Sequence, residues 1–540
     1  PRTLFPYTTL FRSYIEQVLY NKCKVYDSMK NTLPIEPKDY YPLSRKLKRH
    51  FVLHVGPTNS GKTYQSLEKF KKKNSGVYLA PLRLLALEVQ EKMLADGFKC
   101  SLVTGEEEHI VDESNHICCT IEKLDFSKKY DIAIIDEAQM LDDSQRGSAW
   151  TSAILGVAAN EIHVCFAQYA QEMIMKLIKY CGDTYEIVIH DRDTNLILSS
   201  DSFDFLKDLQ KGDAIVAFSK RKVLNIAAAI NTKTNLSCSV LFGSLPYGSR
   251  KRQFQNFAER KSDVLITTDA VGMGVNLAIR RIVFMEDSKY DGRSMRKLKT
   301  SEILQIAGRA GRKNIYDQGY VVVTDESMKR RYEDSIKPIT EAYVGLTHHL
   351  VEIDGDLEDV IFAWQQLEFE SPFIKADISN QISILNEISH INLRKSDRFK
   401  AIFMPINTKS SYEMCLLKHY LKAISENNNH VNFPHIPNIE YGDELKQLES
   451  YSKDIDIYYS FCKTYGLELD VEKVEQEREV TCNKINKLLL SSNLEVPRCN
   501  VCGEELEWDY DRYRCSDCYS GRGYRGNRWY NDDDEDDWDD

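Results

Sequence analysis

The sequence predicts an α/β protein in which two tandem domains with parallel sheets precede a helical domain and a small cysteine-rich module. Short apolar runs, often β-branched and bounded by turn residues, recur over the first 325 residues, which is the pattern of buried parallel strands. From about residue 336 to 490, leucine, isoleucine, glutamate and lysine follow helical spacing. Four cysteines lie in the last 42 of the 540 residues. A chain of this length exceeds what one core can hold.

The two α/β domains are predicted at 49–190 and 191–335, because charged and polar residues gather at Asp191–Asp201 between two series of strands. A helix-like stretch, Leu82–Leu94, lies between two strands of the first series, as in alternating α/β chains. The predicted strands are Phe51–Val55, Val77–Ala80, Ile132–Ile135, Ile162–Phe166, Ala214–Phe218, Ser239–Phe242, Val264–Thr268, Ile282–Met285 and Tyr320–Val323.

Outside these domains the sequence predicts four further segments. They are an N-terminal segment at 14–48, a helical domain at 336–490, a cysteine module at 495–520, and a disordered Gly/Arg/Tyr segment with an acidic tail at 521–540. Thr3–Ser13 reads TLFPYTTLFRS, which one reading frame of a common sequencing adapter encodes. We therefore interpret residues 1–13 as an assembly artefact and leave them out of the fold prediction.

The composition is that of a globular protein, with 42% hydrophobic and 28% charged residues. No apolar run is long enough to span a bilayer, so no membrane association is expected. Most of the 14 cysteines are scattered, which indicates thiols in a reducing compartment rather than a disulfide framework. A cytoplasmic location is expected unless a targeting peptide belongs to the native N-terminus.

The net charge of −11 is unusual for a nucleic-acid-binding protein, but the tail explains most of it. Asp532–Asp537, Asp539 and Asp540 are eight acids, and removing these eight charges from −11 leaves −3. Local basic clusters can then decide binding, although each cluster taken singly is more often a solvated face than a binding site. The candidate clusters are Arg45–Arg49, Lys71–Lys73 and Arg293–Lys299.

Gly56–Thr63 reads GPTNSGKT and fits the P-loop pattern G-x-x-x-x-G-K-[ST]. It follows an apolar strand and precedes a helix-compatible stretch, where glycines let backbone amides cradle phosphate oxygens. Lys62 is expected to neutralise the β- and γ-phosphates of ATP, and the Thr63 hydroxyl to bind Mg²⁺. The predicted nucleotide-binding residues of the loop are Gly56, Thr58, Asn59, Ser60, Gly61, Lys62 and Thr63.

An apolar strand ends in Asp136-Glu137-Ala138-Gln139, which is the Walker B arrangement. Asp136 is expected to hold Mg²⁺ through water, and Glu137 to orient and deprotonate the attacking water. Adjacent acids after a strand also occur as a plain solvated edge, so the P-loop upstream carries much of this prediction.

Gln305–Arg312 reads QIAGRAGR and places two arginines three residues apart, on one face of a helix. Phosphoryl transfer spreads charge over the γ-phosphate oxygens, so cations supplied by another domain stabilise its transition state. Gln305, Arg309 and Arg312 are therefore predicted catalytic residues.

The motifs QxxGRxGR, the P-loop and Asp-Glu after a strand together resemble superfamily 2 helicases. Longer stretches are similar to the mitochondrial degradosome RNA helicase and its bacterial relatives, a DExH-type group. These stretches are His54–Thr63, Gly76–Ala86, Thr104–Glu107 and Thr268–Leu277. The resemblance covers residues 40–335, weakens in the helical region and does not reach the cysteine module. It implies two RecA-like P-loop domains that bind ATP between them, and an ATP-dependent RNA helicase moving 3′ to 5′ in RNA turnover.

The resemblance also implies contacts with the nucleic-acid backbone, which position a strand without reading its sequence. In the first domain the implied positions are Pro81, Arg83, Thr104, Gly105 and Thr120. In the second domain they are Ser219, Lys220 and Thr268, together with Gly243–Pro246. Asp269 and Gly272 match the motif that couples the ATP site to the nucleic-acid track, and are expected at the nucleotide.

Two departures from the family pattern stand out. The Walker B signature ends in Gln139 rather than aspartate, which separates the chain from DEAD-box proteins. His163–Gln168 stands where the family usually carries a Cys-Gly-Glu coupling motif, so the coupling of hydrolysis to strand opening is left open.

Two C-x-x-C pairs separated by twelve residues predict one structural zinc site near the C-terminus. Four thiolates leave no open position for water, and a rubredoxin-like iron site is the alternative. The predicted ligands are Cys499, Cys502, Cys515 and Cys518.

RNA is the expected partner, with DNA as the alternative because backbone contacts discriminate poorly between them. A second alternative is an ATP-gated RNA clamp that remodels without unwinding. The Gly521–Tyr530 segment is expected to bind single strands or to act as a linker, and the acidic tail to compete for it. An exoribonuclease is a further expected partner, and the chain is expected to be a monomer.

Overall fold

The computed structural model describes residues 22–192, 194–199, 203–272, 277–292, 294–312, 315–436, 444–490, 498–506 and 514–519. Two largely parallel sheets and a helical region form the fold, so the predicted α/β class with two tandem RecA-like domains is confirmed. The proposed adapter segment, the Gly521–Tyr530 segment and the acidic tail lie outside the described residues. So do Arg293 and residues 273–276 of the fourth family stretch.

The first domain is built on eight strands. They are β1 (His50–Val55), β2 (Gly76–Ala80), β3 (Cys100–Val103), β4 (Glu108–His109), β5 (His116–Thr120), β6 (Lys129–Ile135), β7 (Ala158–Phe166) and β8 (Thr184–Ile189). The order is β4-β3-β5-β2-β6-β7-β1-β8, parallel except for β3 with β4. Because β6, β7 and β1 are neighbours, the segments that follow them meet at one edge of the sheet.

Helices cover both faces of this sheet, and the apolar residues of the strands are buried beneath them. The α-helices of this region are Pro42–Arg45, Lys62–Phe70, Arg83–Ala95, Gly147–Gly156 and Gln171–Tyr180. Short 3-10 helices are Pro37–Tyr40, Ile121–Lys123, Ala138–Asp142 and Gln168–Ala170.

The second domain contains a six-stranded parallel sheet and a hairpin. The strands are β9 (Asn195–Leu198), β10 (Asp213–Val216), β11 (Cys238–Leu241), β12 (Val264–Thr267), β13 (Arg281–Phe284), β14 (Ser288–Tyr290), β15 (Met295–Lys297) and β16 (Gln318–Val322). The sheet order is β11-β12-β10-β13-β16-β9, and β14 pairs with β15. The helices are Phe205–Asp208, Lys220–Lys233, Tyr247–Ala258, Asp269–Gly272 (3-10), Thr300–Ala307 and Glu326–Glu333.

The C-terminal region is mainly helical and touches both sheets. Its helices are His348–Glu352 (3-10), Leu357–Gln366, Ser379–Ile388, Lys395–Ala401, Ser411–Ser425, Glu444–Tyr465, Val471–Leu490 and Ser516–Tyr519. A parallel pair, β17 (Ala342–Val344) with β18 (Phe373–Lys375), packs against the first domain. The N-terminal helical residues 22–32 pack into the helical core, and Leu448 and Ile485 join the core of the second domain.

No helix among the described residues is both long and apolar enough to cross a bilayer.

Candidate active site and nucleic-acid track

The P-loop connects β1 to the helix Lys62–Phe70 through two residues with positive φ, Asn59 at 64° and Gly61 at 80°. Glycine and asparagine are the residues that tolerate this left-handed backbone, and it turns loop amides inward. The Lys62 ammonium donates to the carbonyls of Gly56 at 2.8 Å and Pro57 at 2.6 Å. Burial lowers the pKa of Lys62. The phosphate-binding cation is therefore held by its own loop, where an incoming phosphate can replace the two carbonyls.

The two predicted magnesium ligands are in contact. The Thr63 hydroxyl donates to the Asp136 carboxylate, with oxygens 3.1 and 3.2 Å away. The Tyr78 hydroxyl also donates to Asp136, at 2.8 Å. Burial and the neighbouring Glu137 charge raise the pKa of Asp136 to about 6. A hydroxyl and a carboxylate that converge beside the P-loop are the hard oxygen donors that Mg²⁺ prefers.

Gln139 links the Walker B segment to the segment that departs from the family pattern. Its side-chain amide donates to the Glu137 carboxylate, and its carbonyl oxygen accepts from the Ala167 backbone amide at 3.1 Å. Glu137 itself has left-handed backbone, with φ 48° and ψ 44°. Glu137 is thus linked to residues 163–168 through Gln139 and the Ala167 backbone amide, a contact that does not require the family's Cys-Gly-Glu side chains.

Arg309 of the second domain lies close to Glu137, the predicted catalytic carboxylate of the first domain. Its guanidinium donates to the Gly272 carbonyl at 2.7 and 3.2 Å, and one nitrogen lies 3.7 Å from the Glu137 carboxylate. Burial lowers the pKa of Arg309. Arg309 and Arg312 also both act electrostatically on Glu88, whose pKa is raised by burial. The two predicted arginines therefore lie near the first domain.

The other residues predicted for the coupling motif sit close by in the second domain. A Cβ built on Gly272 would meet the side chains of Ile306 at 3.1 Å and Gln305 at 3.9 Å. Asp269 accepts a hydrogen bond from Lys289 at 2.7 Å. Gly272 and Gln305 therefore pack together beside Arg309, whereas Asp269 is paired within its own domain.

The P-loop touches the second domain directly. The Asn59 amide donates to the Gly311 carbonyl at 2.7 Å. A Cβ on Gly308 would lie 2.8 Å from the Thr58 Cβ. The linker residue Arg192 also contacts both segments. No sequence pattern indicates Arg192, because most of its partners are backbone carbonyls far away in the chain.

Among the residues implied to bind nucleic acid, the two cations are occupied by carboxylates. Arg83 donates to Glu106 and Glu107, each at 2.6 Å. Lys220 donates to Glu449, on the helix Glu444–Tyr465, also at 2.6 Å. Both basic side chains are therefore paired with carboxylates in this structure. A phosphate that binds either cation would have to displace its carboxylate or bind close to that negative charge.

The remaining implied residues shape the loops around these cations. Thr104 is buried and its hydroxyl donates to the Glu107 carbonyl at 3.0 Å, while a Cβ on Gly105 would meet only the end of Lys123, at 3.8 Å. The Pro81 carbonyl accepts from Arg146 at 2.6 Å. Thr120 lies directly before the helix Ile121–Lys123, and Ser219 caps the helix Lys220–Lys233. The Thr268 hydroxyl accepts a hydrogen bond from the Ala270 amide.

A cavity of about 440 Å³ lies where the two α/β domains meet the helical domain. Its walls include Arg83, Tyr247 and Arg478. Each of these carries one buried side-chain atom without a hydrogen-bond partner among the described residues: the two arginine Nε atoms and the Tyr247 hydroxyl. A buried donor without a hydrogen-bond partner lowers the stability of the fold. A polar ligand in this cavity could accept hydrogen bonds from these three groups.

The four module cysteines come together as predicted from their spacing. Their sulfurs all lie within 4.8 Å of one another, and those of Cys502 and Cys515 are 3.6 Å apart. A zinc–sulfur distance of about 2.3 Å in a tetrahedron implies about 3.8 Å between sulfurs. The arrangement therefore fits one four-thiolate metal ion.

Two family descriptions match the chain. The DEXQ-box helicase domain of Suv3 matches residues 37–190, and the helicase conserved C-terminal domain matches residues 201–314. Among solved structures, a Dbp5 variant of S. cerevisiae bound to RNA and ADP BeF3 aligns with a TM-score of 0.43 at 16% identity, covering 67% of this chain and 95% of that one.

Curated relatives extend the similarity along most of the chain. The mitochondrial DExH-box ATP-dependent RNA helicase DExH16 of Arabidopsis thaliana is 33% identical over 86% of this chain and 84% of its own. The mitochondrial ATP-dependent RNA helicase SUV3 of Candida albicans is 36% identical over 76% of this chain, and that of Saccharomyces cerevisiae is 31% identical over 81%. The chain spans only 60% and 64% of the length of these two SUV3 proteins. It belongs to the Suv3-type DExH-box helicase family.

Proposed function

We propose that this chain is an ATP-dependent RNA helicase, which translocates 3′ to 5′ along single strands and unwinds RNA-containing duplexes in RNA turnover. The position of Arg309 carries the proposal, because this arginine of the second domain lies 3.7 Å from the Glu137 carboxylate of the first. A cation delivered across a cleft stabilises the charge that develops on a transferred phosphoryl group. The names of the relatives, which describe ATP-dependent RNA helicases, support the same activity.

The site residues divide the work of hydrolysis. Lys62 would leave its loop carbonyls to neutralise the phosphates, and Glu137 would orient the attacking water and accept its proton. Thr63 and Asp136 would hold Mg²⁺, which supplies charge neutralisation between the phosphates. Arg309 would add its charge only when the two domains are closed, so hydrolysis would be tied to their relative position.

The nucleic-acid strand would cross both α/β domains beneath the helical domain, where Arg83 and Lys220 face the helix Glu444–Tyr465. Contacts with the backbone predict little sequence preference. The DNA helicase remains the alternative for the same track. A clamp without unwinding is less supported, because Gln139 preserves a contact between Glu137 and residues 163–168.

Strand displacement tests the proposal. RNA duplexes with either a 3′ or a 5′ overhang are incubated with ATP, with DNA duplexes of the same sequence alongside and Lys62→Ala as the control. We expect displacement from the 3′-tailed RNA and none with Lys62→Ala. RNA-stimulated ATP hydrolysis without displacement would favour the clamp, and displacement of DNA alone would favour the DNA helicase.

We also propose that Cys499, Cys502, Cys515 and Cys518 hold a structural Zn²⁺, since their sulfurs have the spacing of a tetrahedral site. Elemental analysis of the purified protein should find one zinc per chain, and one iron instead would select the rubredoxin-like alternative.

The names of the relatives assign them to mitochondria, and we propose the same compartment for this chain. This replaces the cytoplasmic location expected from the cysteines, which indicate only a reducing compartment. Cell fractionation of the native protein tests it. The exoribonuclease partner and the monomeric state remain predictions, for which pull-down and light scattering are the tests.

A further inference from the structure

Arg192 lies in the linker between β8, which ends the first sheet, and β9, which begins the strands of the second domain. Its guanidinium donates to four backbone carbonyls. Two of the acceptors are Thr194, at 2.7 Å, and Thr58 of the P-loop, at 3.2 Å. The other two are Gly308, at 2.7 Å, and Ala310. One side chain therefore bridges the linker, the P-loop and the arginine motif.

The fork of the guanidinium is suited to this task. Arginine offers five donors in a fixed plane, whereas lysine offers a point charge on a flexible stem. Burial lowers the pKa of Arg192, and no carboxylate among the described residues forms an ion pair with it. A half-buried cation of this kind is costly unless its donors are satisfied, and here carbonyls satisfy them.

The carbonyls of Gly308 and Ala310 lie on either side of Arg309, the predicted catalytic arginine. Gly308 and Ala310 are the neighbours of Arg309 in the chain, so Arg192 fixes the backbone on both sides of it. The backbone there approaches the P-loop closely, since a Cβ on Gly308 would lie 2.8 Å from the Thr58 Cβ. Asn59 adds a bond to Gly311 at 2.7 Å. The segment that carries Arg309 is therefore docked on the P-loop, with Arg192 at the junction.

We propose that Arg192 is a positioning residue for phosphoryl transfer, which docks the backbone around Arg309 onto the P-loop so that the Arg309 guanidinium meets the γ-phosphate. The role rests on the proposed ATP-driven function. Arg192 acts through Arg309 and through the two loops, because all four of its contacts are to backbone carbonyls of the protein. A displacement of catalytic groups by about 1 Å lowers the rate on the order of 100-fold. Loss of the Arg192 hydrogen bonds should therefore lower the rate of ATP turnover.

The test compares Arg192→Ala and Arg192→Lys with the wild type in RNA-stimulated ATP hydrolysis. We expect kcat to fall about tenfold or more in Arg192→Ala, with KM for ATP changed by less than about threefold, since an interaction that serves only the transition state lowers kcat. The kcat of Arg192→Lys should lie between those of Arg192→Ala and the wild type. Guanidinium chloride at millimolar concentration should restore part of the turnover of Arg192→Ala and leave the wild type unchanged.

Arg330→Ala is the matched control, because it removes the same charge from an exposed position on the helix Glu326–Glu333 of the same domain. It should hydrolyse ATP like the wild type. Wild-type kcat in Arg192→Ala would overturn the proposal, as would a raised KM with unchanged kcat, which would mean direct nucleotide binding. If Arg192→Ala fails to fold, wild-type kcat in Arg192→Lys overturns it equally. An inactive wild type would instead refute the proposed function.

Discussion

Gly308 shows how a single hydrogen atom in place of a methyl group sets the distance between two domains. Its backbone is ordinary helical, with φ −58° and ψ −13°. Its own conformation therefore does not demand glycine. The need comes from its neighbours, because a Cβ would lie 2.8 Å from the Thr58 Cβ of the P-loop and 2.9 Å from the Leu304 carbonyl oxygen of the preceding helix, and real Cβ atoms do not approach so closely.

Gly308→Ala should therefore push the arginine motif away from the P-loop, with a small shift at the end of the preceding helix. We expect ATP turnover to fall about tenfold, since sub-ångström errors at catalytic groups are costly, while the unfolding midpoint stays unchanged. Steady-state kinetics and thermal melts measure the two effects. Thr58→Gly in the same chain removes the clash with the P-loop, though not the contact with the Leu304 carbonyl, and should recover part of the turnover toward that of Thr58→Gly alone. Full activity of Gly308→Ala would contradict this prediction and would show that the interface accommodates the added methyl group.

Arg309→Ala and Arg312→Ala should separate binding from chemistry. Both arginines belong to the second domain and approach the first, so we expect each variant to bind ATP and to lose about a thousandfold in turnover, the scale of an arginine finger. Binding of a fluorescent ATP analogue and single-turnover hydrolysis measure the two properties. Weakened binding with normal turnover would contradict the assigned role.

The residues proposed to bind phosphate and Mg²⁺ can be selected from the sequence, because the chemistry of these ligands fixes both residue type and spacing. Lys62, Thr63 and Asp136 follow from the loop and strand patterns alone. Arg192 and Tyr78 could not be predicted. Arg192 binds backbone carbonyls, which every residue has, and the Tyr78 hydroxyl reaches Asp136 from a neighbouring strand. Neither contact leaves a pattern along the chain.

At the scale of elements, the helix Glu444–Tyr465 places two acids beside the proposed nucleic-acid track. Glu449 accepts from Lys220 at 2.6 Å and from Ser244 at 3.1 Å, and its second oxygen is buried without a partner among the described residues. Seven residues on, Asp456 accepts from Arg478. Residues seven apart share a helix face, so this helix presents both carboxylates to cations, Lys220 and Arg478, of which Lys220 is proposed to bind phosphate.

Glu449→Gln should tighten RNA binding, because it removes a negative charge from the place where a phosphate approaches Lys220. We expect about a threefold to tenfold lower Kd for single-stranded RNA, measured by fluorescence anisotropy in the absence of ATP. Glu426→Gln is the control, since it makes the same change at an exposed position of the helical domain. An unchanged or higher Kd for Glu449→Gln would mean that the carboxylate supports the track instead of competing for it.

All nine predicted apolar runs lie on strands, with ends that differ by a few residues. The strands that the sequence did not predict fall into two groups: β3 and β5 are mostly buried, but their short runs CSLV and HICCT are rich in cysteine and contain polar residues, whereas the edge strands have little apolar signal. The edge strand β8 is largely exposed, and β4 and β9 are short and partly exposed. Burial on both faces produces the apolar pattern, so strands at the edge of a sheet lack it.

At the scale of the whole molecule, the helical region packs against both α/β domains and contributes residues to their cores. Leu448 and Ile485 enter the core of the second domain, and β17 and β18 pack on the first. The N-terminal residues Val25 and Met29 complete the helical core itself. Such long-range packing cannot be predicted from local periodicity, which is why the N-terminal segment and the helical domain were separate in the sequence prediction.

The cysteine module should be separable from the motor in stability. Too few residues surround the four cysteines to form a core without metal, whereas the ATP site is built entirely from residues 54–312. Removing the proposed zinc with a chelator that does not bind Mg²⁺, or substituting Cys502→Ser, should therefore unfold the module and leave ATP hydrolysis unchanged. Limited proteolysis and hydrolysis assays measure both. Loss of ATP turnover on chelation would mean that the module supports the motor domains.

The carboxylates beside Arg83 and Lys220 also bear on how ionic strength would affect RNA affinity. When free cations meet phosphates, the nucleic acid releases condensed counterions, and the logarithm of the affinity falls by about 0.7 per contact for each tenfold rise in salt. Here each contact would exchange one ion pair for another, and a displaced carboxylate would recruit a cation from solution. The salt dependence would then be shallower than the number of phosphate contacts suggests, so the strand would stay bound at ionic strengths that strip RNA from proteins with bare basic grooves.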